Sequence, residues 1–130
     1  MRKRTLLSEI LPVFYEELHG LLMRNGRSDL ADQLPNLEVV GRCGCGQADC
    51  GTVHVKGGRT LNVVEENVIG VKHGGTINLE ADKGYVIVDL DNFGRWMTIE
   101  AICREDVHQE LEAGVKKFRL TESLGSKQQT

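Results

Sequence analysis

Three of the four cysteines, Cys43, Cys45 and Cys50, fall within eight residues of one another in the pattern C-x-C-x4-C. Gly44, Gly46 and Gly51 separate and flank them, and glycine lets a backbone curl tightly round a centre. A thiolate is both a soft metal ligand and a nucleophile, so three in one loop can hold a metal, carry out redox or nucleophilic chemistry, or stay reduced and inert. Zinc takes four ligands at the corners of a tetrahedron, and a glycine-rich loop of this kind supplies three. The fourth is left open among His54, His73, Cys103 and His108. His54 is nearest in sequence, but four residues of extended strand place it ~13 Å from Cys50. Cys103 shares strand parity with Met97, Ile99 and Ala101, which favours a buried core thiol. His73 falls in an expected turn and His108 on the last expected helix.

Other chemistries are disfavoured. A nucleophilic cysteine needs a base held in reach, and the histidines are scattered without a companion motif, so no catalytic residue is assigned. His19, in the first helix, reads as a solvated residue. No G-x-G-x-x-G or Walker-type loop lies between a strand and a helix, which argues against a nucleotide. Asp89 to Gly94, with Glu100 at the twelfth position, copies part of a calcium-binding EF-hand loop. Phe93 occupies a ligand position, however, and the flanks read as strands. Calcium is therefore not expected, and the stretch reads as an acidic hairpin turn closed by Asn92 and Gly94.

Composition narrows the rest. With 130 residues and a formal net charge of −3, the chain has room for one modest core and no extended basic face for nucleic acid. Arg2-Lys3-Arg4 followed by Leu6-Leu7 imitates a signal peptide, but Ser8 and Glu9 interrupt the apolar run, and no stretch is long enough to span a bilayer. The expectation is a cytoplasmic protein with no membrane contact, in which clustered cysteines stay reduced. A single domain over residues 1–120 and a frayed polar tail over 121–130 are expected.

The elements that must position the cysteines follow from periodicity. Phe14, Leu18, Leu21 and Leu22 form the apolar stripe of a helix over Pro12 to Arg24, ended by Asn25-Gly26. Leu6, Leu7, Ile10 and Leu11 either continue it through a kink or form a separate segment. Ser28 reads as the N-cap of a short helix over Asp29 to Leu34, stopped by Pro35. From Leu37 the period changes to two, with strands expected over Leu37 to Arg42, Thr52 to Lys56, Thr60 to Val64, Asn67 to Lys72, Thr76 to Glu80, Tyr85 to Leu90 and Trp96 to Ile102. The links are too short for crossover helices, which gives an antiparallel meander. Its central strand, Tyr85 to Leu90, has apolar residues on both faces and is expected to be covered on both. Arg104 to Phe118 returns to helical spacing, with Gly114 weakening its second half. The fold class is α+β: an antiparallel sheet of about six or seven short strands with helices at both chain ends.

The cysteine spacing resembles the zinc cluster that follows the SET domain in histone lysine methyltransferases. The likeness covers Cys43, Cys45, Cys50 and Gly46, and it implies a metal without implying methyl transfer. The C-x-C-G-x-x-x-C loop, the later hairpin from Val88-Asp89-Leu90-Asp91 through Gly94-Arg95 to Ile99-Glu100, and the Arg104-Glu105-Asp106-Val107 helix start together resemble small uncharacterised bacterial proteins. The resemblance spans about two thirds of the chain and carries no catalytic assignment. The function expected is a non-catalytic binding or regulatory module with a structural zinc at the cysteine loop. The alternative is a thiol-dependent redox or nucleophilic enzyme using the same cysteines. Leu6, Leu7, Ile10 and Leu11 either exceed what a small core can bury, which suggests a protein partner or a homodimer seam, or cover the second face of the sheet.

Overall fold

The computed structural model describes residues 5–57, 75–92 and 94–118. Its first helices are α1, Leu7–Ile10, and α2, Pro12–Arg24. Leu11 separates them at φ −130° and ψ 63°, because the ring of Pro12 crowds the preceding residue out of the helical region. Pro12 itself fits the first turn, where its missing N–H has no helical partner to lose. The next two amides of α2, those of Val13 and Phe14, donate to the carboxylate of Glu110 at 2.6 and 3.0 Å, a cap supplied by a distant helix. At the other end the Asn25 side chain donates to the Leu21 carbonyl, and Gly26 turns the chain out at φ 75°.

Helix α3, Ser28–Ala31, is shorter than expected and starts one residue earlier. Ser28 is its first helical residue rather than its cap; Arg27 precedes it and holds both carboxylate oxygens of Asp29. Pro35 does not stop the chain but lies inside a 3-10 turn, Leu34–Asn36, a tight form common in short connections.

The strands are β1, Glu38–Arg42, β2, Val53–Lys56, β3, Gly75–Leu79, β4, Tyr85–Leu90, and β5, Trp96–Ile102; helix α4, Glu105–Phe118, follows. They form one open antiparallel sheet in the order β1-β2-β5-β4-β3. The expected meander holds for β3-β4-β5 and fails at β2, which pairs with β5 instead of with the strand expected to follow it in sequence. The hairpin β1-β2 thereby lines up Val53 with Ile99, and the Ala101 amide donates to the Thr52 hydroxyl at 3.2 Å. The strands expected over Thr60 to Val64 and Asn67 to Lys72 lie outside the described residues.

One face of the sheet carries the core. Val53, Val55, Val86, Val88, Ile99 and Ala101 alternate along their strands onto Phe14, Leu18 and Leu22 of α2 and Leu111 of α4. Leu7, Ile10 and Leu11 are at most 1% exposed, so the leucines reserved for a partner belong to the core, and only Leu6 is half-buried. Gly114 is what lets α1 pack on α4: a Cβ there would stand 2.6 Å from the Ile10 carbonyl oxygen. Two-sided cover of β4 is not found among the described residues, where Tyr85 is 61% exposed and its cross-strand partner Ile102 is 37% exposed.

Candidate functional site

The loop from Cys43 to Thr52 closes the β1-β2 hairpin and is held to the rest of the fold at several points. The Cys43 amide donates to the Thr52 carbonyl at 3.1 Å, and the Cys50 amide to the Gln47 carbonyl at 3.2 Å. Its second half is laced to the end of β5: Gly51 N–H donates to Ala101 at 2.8 Å, Cys50 bridges Ile102, and Arg104 N–H donates to the Asp49 carbonyl at 2.8 Å. The His108 ring places Nδ1 3.0 Å from the Cys50 carbonyl oxygen. Gly51 is required by close approach, since a Cβ there would lie 2.4 Å from a methyl carbon of Val107.

Held in this way, the sulfurs of Cys43, Cys45 and Cys50 all lie within 4.8 Å of one another, a set that could hold a metal ion. Their environments differ. Cys45 is exposed, and its sulfur accepts the Gln47 N–H at 3.5 Å; this contact, with help from the Cys50 and Cys43 thiols, holds its pKa below the ordinary value. At Cys43 the Cys45 amide also favours the thiolate, but burial and the Cys45 and Cys50 thiols outweigh it, so its pKa is raised. Of these two thiols, Cys45 therefore ionises more readily than Cys43. A metal ion at their centre would favour all three thiolates together.

None of the suggested fourth ligands belongs to this 4.8 Å set. His54 lies on the open sheet face, with Nδ1 3.3 Å from Thr98 Oγ1 and its ring against Gly41. His108 is turned by Cys50 and has Nε2 3.7 Å from Glu112. His73 lies outside the described residues. Cys103 departs from its expected place in the core. It is exposed and sits just past β5 at φ 59°, the one non-glycine residue with positive φ among those described. The alternation that buries Ile99 and Ala101 ends with β5 at Ile102, and the positive φ of Cys103 turns it out of the parity that would have buried it.

Two further charged groups were not legible in the spacing. Arg104, with a side chain 0% exposed, donates two hydrogen bonds to Glu17 at 2.6 and 2.9 Å and two to Asp106 at 3.0 Å, while its guanidinium lies 5.8 Å from the Phe14 ring centre. Gly84, at φ 61°, makes room for this side chain. On the open sheet face, the stretch that imitated a calcium loop forms the β4-β5 hairpin. Thr76 donates to Asp89 at 3.0 Å, and the Glu100 carboxyl is raised to about 7 by its hydrogen bond with Asp89, then by burial, then by the charge of Asp89. A pocket of about 180 Å³ lined by Val13, Phe14, Glu17, Asp106, Val107 and Glu110 holds three carboxylates, but these already accept from Arg104 and the α2 amides.

No helix among the described residues is long and apolar enough to cross a membrane. Comparison with protein-family models, with curated proteins and with solved structures finds no match.

Proposed function

We propose that this protein is a small non-catalytic binding module whose β1-β2 hairpin is fixed by a zinc ion on Cys43, Cys45 and Cys50. The observation that carries this reading is the convergence of the three sulfurs within 4.8 Å, in a loop whose backbone is bound on both sides. Thiolate ligands select zinc, copper(I) or iron–sulfur clusters, and zinc suits a site that needs no redox chemistry. The metal would bind the loop end of the hairpin, where the apolar core has little to offer: Cys45, Gly46 and Gln47 are exposed. Any protein partner must meet a surface other than the N-terminal leucines. On the sheet face that none of the described helices covers, Tyr85 and Ile102 side by side form the apolar patch that fits the role.

Metal analysis of the full chain purified without added zinc tests the proposal. About one zinc per chain is expected, together with loss of metal and a lower melting temperature for Cys43→Ser, Cys45→Ser or Cys50→Ser. Full zinc content in the triple serine variant would overturn it.

A second reading, a thiol-dependent redox or nucleophilic protein, is favoured by one observation: Cys45 is exposed and hydrogen-bonded through its sulfur to an amide. Alkylation separates the two. A reactive Cys45 is modified quickly below the ordinary thiol pKa of ~8.5, whereas a zinc-bound thiolate resists until a chelator is added.

A further inference from the structure

We infer that Cys103 is the fourth zinc ligand, recruited from the junction of β5 and α4 to close a four-thiolate site; this rests on the zinc reading above. A structural zinc site is closed by four protein ligands, and the cysteine loop supplies three.

The backbone lacing identifies where the fourth comes from. Gly51 is bonded to Ala101, Cys50 bridges Ile102, and Arg104 is bonded to Asp49. In this antiparallel register, Cys103 stands opposite Asp49, the residue that precedes Cys50. It is the one remaining cysteine, it is exposed, and no core packing restrains its side chain. The backbone beneath it is fixed, because the next residue is the buried Arg104, held by Glu17 and Asp106.

Its conformation points the same way. A non-glycine residue at φ 59° is held in a region where asparagine or glycine is more comfortable. Cysteine at such a position gains nothing from burial. A metal bond gives it a role that the fold otherwise does not.

The two candidate histidines among the described residues are engaged elsewhere: His54 contacts Thr98, and His108 contacts the Cys50 carbonyl and faces Glu112. Cys103 is outside the 4.8 Å group, so its sulfur must rotate inward as the metal binds.

The test uses the full chain loaded with zinc alone, with X-ray absorption to count sulfur neighbours and competition with a chelator to measure affinity. The informative variant is Cys103→Asn, because asparagine tolerates positive φ and leaves the metal-free fold at least as stable as before. Four sulfurs are expected in the wild type and three with one oxygen or nitrogen in Cys103→Asn. Affinity is expected to fall at least about 100-fold, the upper end of what loss of an outer-shell partner costs. A wild-type site with three sulfurs and one lighter atom, unchanged in Cys103→Asn, would overturn the inference and leave the zinc reading standing. Four sulfurs persisting in the variant would overturn it too, by placing the fourth thiol on another molecule. Absence of zinc binding by the wild type would overturn both.

Discussion

Arg104→Met removes a buried cation that joins α2, the turn before β4 and the start of α4, and leaves a shorter apolar side chain in its place. The guanidinium makes four hydrogen bonds to Glu17 and Asp106 and approaches the Lys83 carbonyl at 3.5 Å. Breaking a buried ion pair by removing one partner costs about 3–5 kcal/mol, because the charge left behind stays poorly solvated. Here the abandoned carboxylates are 29% and 49% exposed, so water recovers part of the loss and the low end, about 3 kcal/mol, is expected. For a domain of this size that lowers the melting temperature by roughly 10 °C.

The pH dependence supplies a second readout. The Arg104 hydrogen bonds, aided by Lys83 and the Val107 amide against the opposing effect of burial, hold the Asp106 carboxyl well below the usual range. A depressed carboxylate pKa adds stability above the unfolded value of ~3.9 and loses it as pH falls towards the folded value. Wild type is therefore expected to lose stability below about pH 5, and Arg104→Met to show a flatter acid limb. Urea denaturation at pH 7 and pH 4 measures both. A loss under about 1 kcal/mol at pH 7, or an acid slope identical to wild type, would refute this account of Arg104.

Other substitutions probe the close contacts and the second carboxyl pair. Gly51→Ala drives a Cβ to 2.4 Å from Val107 and is expected to cost about 1–3 kcal/mol by chemical denaturation, with weaker zinc retention. Gly114→Ala gains about 1 kcal/mol in helix propensity, but its Cβ meets the Ile10 carbonyl oxygen at 2.6 Å, so a lower melting temperature is expected; a higher one would show that α1 shifts freely. Because Glu100 is raised to about 7, the folded state binds a proton that the unfolded chain has already released, and stability falls as pH rises from about 4.3 to 7. Asp89→Asn is expected to remove that fall, and carboxyl titration by NMR checks the Glu100 midpoint directly.

Local chemistry made much of the fold legible in advance. Helix α2 runs from Pro12 to Arg24 as its apolar spacing predicts, and β4 and β5 run from Tyr85 to Leu90 and from Trp96 to Ile102. In each, a regular period coincides with a terminating residue, so neighbours along the chain suffice. The three cysteines were equally plain, because a tight loop must bring residues at this spacing together.

What local spacing could not decide depends on contacts between distant segments. Strand order was one: pairing of β2 with β5 is set by which apolar faces share a core, and turn residues say nothing of it. Burial was another. Leu7, Ile10 and Leu11 look surplus until Gly114 allows α1 against α4. Cys103 looks apolar and buried until β5 ends at Ile102 and the chain turns there through a positive φ. Arg104 looks like an ordinary charged residue at a helix start. Only the tertiary structure brings Glu17 from a different helix to its guanidinium, and a charge can be buried there because the opposite charges arrive with it.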